Sequence, residues 1–284
     1  MKLRCRDRVV SLDRTAVMGV LNVTPDSFSD GGLWLSRDAA VAHAVDMVAK
    51  GAALVDVGGE STRPGAEPVP LDEELRRVLP VVEQLTREVD VPISIDTRKA
   101  AAAKAAVEAG ASIINNTAGE ESEPEMDDVA VATDAAVIVM HSRGTPATMQ
   151  HLTRYDDVVD EVGSFLHRRA MRLEHRGIPQ DAIVIDPGFG FAKTADQNLQ
   201  LLRRLRELTE IGYPLLVGTS RKSFIGKVLD LPSGHRLEGT AATVAWAVIQ
   251  GARIVRVHDV EAMTRIVRMT EAICDAGADS PRTC

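Results

Sequence analysis

The stretch SRDAAVAHAVDMVAKGAALVDVG (residues 36–58) combines the two kinds of segment from which this chain is built. Its apolar residues first recur at intervals of three and four, which is typical of an amphipathic helix. The helix stops at Gly51, and the short apolar run ALVDVG (53–58) follows directly. A nearly continuous apolar run predicts a parallel strand that is buried on both faces. The stretch therefore predicts a helix followed by a parallel strand.

The same unit recurs along the chain. The tripeptides KGA (50–52), AGA (109–111) and QGA (250–252) each stop a helix before a strand. Eight strands that alternate with helices predict an α/β fold, a single (β/α)8 TIM barrel whose active site lies at the carboxyl ends of its parallel strands. We expect one domain over residues 1–284, with a small extra strand at the barrel floor formed by the first ten residues. The eight predicted strands are at 17–22, 53–58, 92–96, 112–116, 136–141, 183–188, 214–220 and 253–259.

The main alternative within the α/β class is a doubly wound open sheet. That fold usually carries a glycine-rich phosphate-binding turn after its first strand. Here the first strand is followed by NVTPDSFSDGG (22–32), which contains no GxGxxG pattern. The barrel is therefore the preferred prediction.

Composition limits the partners that the chain can bind. With 33 basic and 41 acidic side chains the formal charge is −8, which argues against a nucleic-acid binder that relies on a basic field. The three cysteines lack CxxC spacing, so a thiolate zinc site is not expected. No apolar run of 18 residues occurs, and no signal-peptide core follows the basic first residues. We expect a cytoplasmic protein that binds neither nucleic acid nor membranes.

Polar residues gather where the predicted strands end, and a barrel brings all eight ends to one face. Capping of the following helices accounts for one or two of these residues. It accounts least well for Asp96 and Asp186, because a carboxylate inside an apolar run is partly buried and needs hydrogen-bond donors or a cation. The strand-end residues are Asn22, Glu60, Asp96, Asn115, His141, Asp186, Ser220 and His258.

These and neighbouring residues form two sets of different chemistry. Asp96, Asn115 and Asp186 offer planar acceptors and an amide, which suit a flat nitrogen heterocycle with several N–H groups. The second set is mainly cationic and predicts an anion site near the seventh and eighth strands, where this fold often binds phosphate. A helix that begins at Lys222 and Ser223 would add backbone N–H groups to that site. The second set consists of Asn22, Arg63, Lys222, Arg256 and His258.

Two long loops follow the first two strands, TPDSFSDGG (24–32) and ESTRPGAEPVP (60–70). Ordinary loop chemistry explains their glycine, proline and serine content as well as a special function does. It does not explain an exposed Phe28, or Arg63 next to Pro64. Long loops of this kind often form lids over the active sites of barrels.

Seven motifs in this chain occur in an order that resembles the dihydropteroate synthase family. They are MGVLNVTPDSFSDGG, VDVGGESTRPGA, ISIDTRKA, IIN, IDPGFGFAKT, LLVGTSRKSFIG and IVRVHDV, and they span residues 18–260. The family joins 6-hydroxymethyl-7,8-dihydropterin diphosphate to p-aminobenzoate, giving 7,8-dihydropteroate and diphosphate in folate biosynthesis, the step that sulfonamides block. The resemblance implies a transferase with this activity, with Mg²⁺ as its cofactor and a homodimer as its assembly.

The resemblance also implies roles for individual residues. Those implied to hold the pterin are Asp96, Asn115, Asp186 and Lys222. Those implied to hold the diphosphate are Asn22, Arg63, Arg256 and His258, with Mg²⁺ bound through Asn22. Thr62 is implied to lie beside both the pterin and the aminobenzoate. Those implied to surround the aminobenzoate are Phe28, Pro64, Phe191, Lys222 and Ser223.

Asp30 is the remaining candidate catalytic residue. By itself it is a turn residue, because Asp-Gly-Gly is a common turn signal. In the family the C–O bond is thought to ionise before the amine attacks, which leaves a cation on the pterin. A carboxylate brought in by loop closure would stabilise that cation, and the resemblance places Asp30 over the reacting methylene. The attacking aniline is already neutral and needs no strong base, which agrees with the lack of a Ser/His/Asp or Cys/His triad.

The chain departs from the family pattern at Asn116, where the family usually has Asp, so pterin affinity or local hydrogen bonding could differ. A pterin-binding methyltransferase barrel is one alternative function, but it needs no diphosphate site, and SRK (220–222), RVH (256–258) and the STRPGA loop argue against it. A catalytically inactive paralogue is a second alternative, which the intact loop motifs disfavour. A scaffold protein would leave the strand-end polar residues unexplained.

Overall fold

The computed structural model describes residues 1–24 and 33–277. Within these ranges the chain forms ten strands and ten α-helices. The strands are β1 (Lys2–Cys5), β2 (Arg8–Ser11), β3 (Ala16–Asn22), β4 (Leu54–Gly58), β5 (Ile93–Thr97), β6 (Ile113–Asn116), β7 (Ala136–Met140), β8 (Ile183–Asp186), β9 (Leu216–Val217) and β10 (Ile254–Val257). The helices are α1 (Leu33–Ala49), α2 (Leu71–Glu88), α3 (Ala100–Glu108), α4 (Pro124–Thr133), α5 (Val158–His175), α6 (Ala195–Arg203), α7 (Leu205–Thr209), α8 (Ser223–Leu229), α9 (Leu237–Ile249) and α10 (Val260–Asp275).

Strands β3 to β10 form the barrel. They are parallel and lie in the order β8-β7-β6-β5-β4-β3-β10-β9. A parallel bridge between Ile185 and Leu215 joins the two ends of this order, where the Ile185 N–H donates to the carbonyl oxygen of Pro214 at 3.0 Å. The predicted (β/α)8 barrel is therefore confirmed, and its eight strands match the eight apolar runs of the sequence.

The amino-terminal segment forms an antiparallel hairpin, β1 with β2, at the amino-terminal end of the barrel. Leu3, Cys5 and Leu12 are completely buried in the core. Arg6, in the turn of the hairpin, donates from Nη1 to the carbonyl oxygen of Val107 at 3.1 Å, in the last turn of α3. The sequence predicts one small strand at the barrel floor, and the structure forms two.

The three predicted helix stops are present. Gly51, Gly110 and Gly251 have φ angles of +105°, +116° and +99°, in the left-handed region that favours glycine. At Gly110 a side chain would also clash, because an added Cβ would lie 2.3 Å from Cγ2 of Thr86. Each glycine ends a helix and returns the chain to the start of the next barrel strand.

Strand β9 is much shorter than the predicted run at 214–220. The chain leaves the sheet after Val217 and turns over the carboxyl end of the barrel, where the Lys222 N–H donates to the carbonyl oxygen of Thr219 at 3.1 Å. Arg221 has a φ of +59° in this turn, and α8 begins at Ser223. The turn ends the ladder early and brings residues 219–222 over the strand ends.

Apolar side chains fill the space between the barrel and its helices. Strands β4, β5, β7 and β8 are buried at every position, as expected for parallel strands that helices cover. In the described part of the chain, no helix has both the length and the apolar character needed to cross a bilayer.

Candidate active site at the carboxyl end of the barrel

The strand ends bring the predicted acceptors together. Asp96 on β5 and Asn115 on β6 are register partners, and both side chains are almost completely buried. Asn22 at the end of β3 lies close to Asp96 across Gly58: a Cβ added to Gly58 would lie 3.9 Å from Asn22 Oδ1 and 3.5 Å from Asp96 Cβ. Gly58 therefore lies between these two side chains.

Arg256 on β10 lies at the centre of this group. Its Nε donates to Oδ2 of Asp56 at 2.6 Å, and its Nη2 donates to Oδ2 of Asp96 at 2.7 Å. Two buried carboxylates raise the pKa of Arg256, although burial alone would lower it. The sequence assigns Arg256 to the cationic set, whereas the structure packs it among the acceptors, so the two predicted sets meet at this side chain.

Asp56 is a member of this cluster that sequence reasoning missed. It is completely buried on β4, and its Oδ2 also accepts a hydrogen bond from Asn115 Nδ2 at 3.0 Å. Its Oδ1 and the Oδ1 of Asn115 are buried without a hydrogen-bond partner among the described residues. The signal was present, because the single carboxylate of LVDVG interrupts an apolar run just as Asp96 does in ISID.

Asp96 is held on both carboxylate oxygens. Oδ1 accepts from the Thr117 hydroxyl at 3.0 Å, and Oδ2 accepts from Arg256. Burial raises the pKa of Asp96 above its ordinary value, and the guanidinium of Arg256 opposes that rise. The neighbouring carboxylate of Asp56 pushes the pKa in the same direction as burial. A donor from a bound ligand would stabilise this carboxylate as an anion.

Asp186 ends β8 on the opposite side of the barrel. It is 6% exposed, and its Oδ1 accepts from the backbone N–H of Gly188 at 2.7 Å. Burial raises the pKa of Asp186, while Gly188 and the nearby Lys222 lower it. One oxygen is thus used to form the turn after β8, and the other is available to a ligand.

Lys222 and Phe191 form the side of the site next to Asp186. The ammonium of Lys222 lies 4.2 Å from the centre of the Phe191 ring, a cation–π contact. Burial, reinforced by the charge of Arg256, lowers the pKa of Lys222 to about 8. A Cβ added to Gly190, whose φ is +82°, would lie 3.2 Å from Cδ of Lys222, so glycine allows this close approach.

His258 and Ser220 form a second pair at the ends of β10 and β9. The Ser220 hydroxyl oxygen accepts from the His258 backbone N–H at 3.2 Å and lies 3.0 Å from His258 Nδ1. Burial and the charge of Arg256 lower the pKa of His258 to about 3, so the ring is neutral at pH 7. The Ser220 hydroxyl can accept from the backbone N–H and donate to Nδ1 at the same time, and in that arrangement the neutral ring carries its proton on Nε2.

Arg63 and Pro64, in the loop after β4, are exposed, and Thr62 is half-buried. The backbone N–H of Gly65 donates to the carbonyl oxygen of Pro146 at 2.9 Å, which joins this loop to the one after β7. No recorded contact joins Arg63 or Pro64 to the buried cluster within residues 1–24 and 33–277. The structure therefore brings these two residues to the rim of the site and not into it.

The remaining predicted residues near the site are Glu60, the helix start at Lys222 and Ser223, and the loop residues Phe28 and Asp30. Glu60 pairs with Lys99, which also bonds Glu74 at 2.6 Å, so Glu60 belongs to an ion cluster that anchors the loop after β4. The helix predicted to start at Lys222 and Ser223 is present, and Ser223 is exposed at its first turn. Phe28 and Asp30 lie outside the described residues.

Comparison with known proteins identifies the family. The family model described as pterin binding enzyme matches residues 18–258. The chain belongs to the pterin-binding enzyme family. Dihydropteroate synthase of Synechocystis sp. is 52% identical over 92% of this chain and 90% of that protein, and that of Escherichia coli K12 is 45% identical over 97% and 98%. The resemblance that the sequence motifs indicate is therefore confirmed.

Solved structures of dihydropteroate synthases are similar to this chain in both fold and sequence. Yersinia pestis dihydropteroate synthase in a sulfonamide drug complex has a TM-score of 0.90 and 45% identity, covering 96% of this chain and 99% of that one. Xanthomonas albilineans dihydropteroate synthase in complex with 7,8-dihydropteroate has a TM-score of 0.86 and 40% identity, covering 96% and 98%. At these identities the likeness extends beyond the fold to the sequence.

Asn116 is the position at which the chain departs from the pattern of this family. Its side chain points away from the cluster: Oδ1 accepts from the Ala118 N–H at 3.1 Å, and Nδ2 donates to the Ser122 hydroxyl at 2.8 Å. Because side chains alternate along a strand, Asn115 faces the site and Asn116 faces the loop that follows. The departure therefore affects local hydrogen bonding and does not remove a charge from the site.

Asn116→Asp is expected to change little. An aspartate would keep the acceptor for Ala118, and the Ser122 hydroxyl would reverse its direction to donate to it, so the free energy of unfolding should change by less than about 1.5 kcal/mol. Affinity for a pterin should stay within about threefold of the original, since Asn115 is untouched. Thermal melting and calorimetry measure both; a tenfold change in affinity would show that position 116 acts on the site.

Proposed function

We infer that this chain is a transferase of folate biosynthesis that condenses 6-hydroxymethyl-7,8-dihydropterin diphosphate with p-aminobenzoate to give 7,8-dihydropteroate and diphosphate. The observation that carries this function is the buried cluster of Asp56, Asp96, Asn115 and Arg256, which retains two acceptor oxygens without donors. Buried acceptors without partners are costly. The N–H edge of a pterin is a ligand that would satisfy them.

The pterin is held by Asp96, Asn115, Asp186 and Lys222 in this proposal. Asp186 uses one carboxylate oxygen to accept from Gly188 and has a second oxygen without such a bond. Its carboxylate can therefore still accept N–H groups from a ring. Asp96 and Asn115 lie next to each other on the adjacent strands β5 and β6, across the barrel from Asp186. They can bond the edge of the ring that faces away from Asp186. Burial lowers the pKa of Lys222, but the carboxylates of Asp186 and Asp96 both oppose this and favour its charged form.

The diphosphate is held at the ends of β3 and β10. Arg256 uses Nε and Nη2 on two carboxylates, which leaves Nη1 for an anion. In the tautomer whose Nδ1 accepts from the Ser220 hydroxyl, His258 offers a proton on Nε2 to a phosphate oxygen. Arg63, exposed in the loop after β4, contributes a further cation when that loop closes. These groups stabilise the charge that develops on the leaving group.

Magnesium is the proposed cofactor, bound through Asn22. The described residues contain no group of three or more His, Cys, Asp or Glu side chains that could hold a metal. The donors present fit Mg²⁺, which often takes only one or two protein oxygens together with water and substrate phosphates, and the Asn22 amide oxygen lies at the end of β3 beside Gly58 and Asp96. When bound, the ion would neutralise charge on the diphosphate.

The aminobenzoate lies on the Phe191 side of the site. Phe191 is buried with its ring against Lys222, and Ser223 is exposed at the start of α8 close to that lysine. We propose that the pocket is completed by Thr62, Pro64 and Phe28. Phe28 lies outside the described residues. The C–O bond to diphosphate breaks first, Asp30 stabilises the cation that this leaves on the pterin, and the amine then attacks the methylene carbon. The amine loses its proton to water after the new C–N bond forms.

The test is release of diphosphate on adding the pterin diphosphate, p-aminobenzoate and Mg²⁺, with dihydropteroate identified by mass. Product formation that needs all three supports the assignment. Methyl transfer to a corrinoid without diphosphate release would favour the methyltransferase alternative. Pterin binding with no turnover would favour the inactive paralogue.

Activity should depend on the proton of Lys222. Burial lowers its pKa to about 8, so the ammonium is lost as the pH rises through 8, and kcat/KM for the pterin diphosphate should then fall by about tenfold per pH unit. The free energy of unfolding should rise with pH between about 8 and the ordinary pKa of 10.5, because the unfolded chain binds this proton more tightly than the folded state does. Falling activity without unfolding separates the two effects, and a rate profile that stays flat to pH 9.5 would contradict the role of Lys222.

The proposal includes a homodimer and a cytoplasmic location. The adjacent helices α9 and α10 expose Trp246, Met269 and Ile273, the last two by more than 60%, and such apolar exposure is typical of an interface. A charged diphosphate ester does not cross bilayers unaided, so the enzyme is expected in the compartment where that substrate is made.

Ile273→Glu should convert the dimer into a monomer, because a carboxylate in an apolar interface loses its water without gaining a partner. Light scattering should then give the mass of one chain, 30.6 kDa, in place of two. Val9→Glu is the matched control, since Val9 is similarly exposed but lies on the hairpin and not on α9 or α10. A wild-type protein that already has the mass of one chain would refute the dimer.

A further inference from the structure

Lys193 is a buried lysine to which the proposed reaction assigns no role. It follows β8 at the start of α6 and is 3% exposed. No ion pair joins it to a carboxylate among the described residues; its ammonium instead bonds neutral groups. Nζ lies 3.0 Å from Nδ1 of His141, 3.0 Å from the carbonyl oxygen of Gly188 and 3.0 Å from that of Phe191. An ammonium has three donors, and these acceptors use all of them.

His141 is a neutral partner for this ammonium. It is completely buried, and burial together with the charge of Lys193 lowers its pKa well below the ordinary value. Its ring packs edge-on against Phe165, with ring centres 5.1 Å apart. The imidazole therefore acts as an acceptor on Nδ1 that is fixed in place by the core.

The ammonium of Lys193 closes the turn that carries two sides of the active site. The Phe191 N–H donates to the carbonyl oxygen of Gly188 at 3.1 Å, and the Gly188 N–H donates to Asp186. The Phe191 ring lies under the ammonium of Lys222. Ala192, between Phe191 and Lys193, has a φ of +49°, a conformation that a residue with a side chain rarely adopts and that the surrounding contacts must hold.

The charge of Lys193 does not stabilise the fold. Burial lowers its pKa to about 7, from an ordinary value of 10.5, although the nearby Asp186 raises it. Since the unfolded chain binds this proton more tightly, the free energy of unfolding rises with pH between about 7 and 10.5. The hydrogen bonds of Lys193 thus hold the geometry of the turn at the expense of stability.

We propose that Lys193 is a positioning residue for the reaction: its ammonium holds the turn of residues 188–191, and through it the Phe191 ring against which Lys222 and the aminobenzoate pack. The inference rests on the proposed function for the identity of the second substrate. Asp186 is affected less, because it also belongs to β8 and keeps its bond from Gly188.

Lys193→Met removes the ammonium while keeping a side chain of similar length. KM for p-aminobenzoate should rise about tenfold or more, while affinity for a simple pterin should change less than about threefold. Lys193→Gln, which keeps an N–H donor for the Phe191 carbonyl, should recover part of the loss and serves if the first variant does not fold. Asp127→Asn is the control, because Asp127 is a buried carboxylate paired with Arg169 between α4 and α5, away from the site.

A second readout does not need turnover. With 4-fluorophenylalanine at all five phenylalanine positions, the ¹⁹F signal of Phe191, assigned from Phe191→Leu, should shift or broaden in Lys193→Met and not in Asp127→Asn. An unmoved Phe191 signal overturns the proposal. The proposal is also overturned if Lys193→Met lowers kcat and both substrate affinities in proportion to its loss of stability. That is the result expected of a residue with a purely structural role. A wild-type protein without synthase activity refutes the proposed function instead, and the ¹⁹F comparison still tests Lys193.

Discussion

Arg256→Met is expected to lower the free energy of unfolding by about 3 to 5 kcal/mol and kcat/KM by about 1000-fold or more. The guanidinium is the cation shared by Asp56 and Asp96, which are both buried. Without it two carboxylates face each other in the barrel interior with no compensating charge, and the diphosphate loses a donor. Chemical denaturation and steady-state kinetics measure the two effects.

Acid should partly rescue the stability of this variant. Burial already raises the pKa of Asp96, and with Arg256 gone it should rise further, so that the folded state binds more protons than the unfolded chain and stability increases as the pH falls from 7 to 5. Arg221→Met is the matched control, since Arg221 pairs with Asp259 at the exposed surface and should cost less than about 1 kcal/mol. Equal losses in the two variants would show that Arg256 has no special place in the cluster.

Asp186→Asn is expected to reduce affinity for a pterin by about 2 to 4 kcal/mol, or roughly 30- to 1000-fold. The amide oxygen can still accept from Gly188, so the turn after β8 should persist. The other oxygen becomes an NH₂ group, which places donor against donor where the ring N–H groups bind. Calorimetry with a simple pterin measures the loss directly, without a requirement for turnover.

Asp181→Asn controls for the loss of a carboxylate near the same strand. Asp181 precedes β8 at the opposite end of the barrel, where it lies within 4 Å of Lys2 and Arg4. It should leave pterin affinity unchanged, because it is a strand length away from the site. A folded Asp186→Asn protein with unchanged affinity would remove Asp186 from the pterin site.

The number and order of the barrel strands could be predicted because both depend on local pattern. Each run is apolar throughout, and glycines such as Gly51 and Gly110 mark the helix ends by their conformational freedom. The end of β9 could not be predicted in this way. Its length depends on the turn at residues 219–222, and the hydrogen bonds of that turn replace those of the ladder.

For the site, the sequence alone indicated which strand ends carry chemistry. Asp96, Asn115 and Asp186 are polar residues in or directly after apolar runs, and the structure buries all three at one face. The sequence analysis did not predict Asp56 as a site residue, although Asp56 also interrupts an apolar run. The reason is that it lies two residues before the end of its strand, at a position typical of the strand interior.

The sequence by itself determined the barrel, its eight strands and the side on which polar groups collect, since these follow from the period of the apolar residues and from the parallel direction of the strands. Only the tertiary structure decided which polar groups touch. Arg256 is 160 residues from Asp96 and 200 from Asp56 along the chain, and their contact exists because β10 closes against β3 beside β4 and β5. The opposite directions of Asn115 and Asn116 have a local cause instead, because adjacent residues of a strand face opposite sides of the sheet. Contacts between distant strands depend on barrel closure and register, which no local pattern encodes.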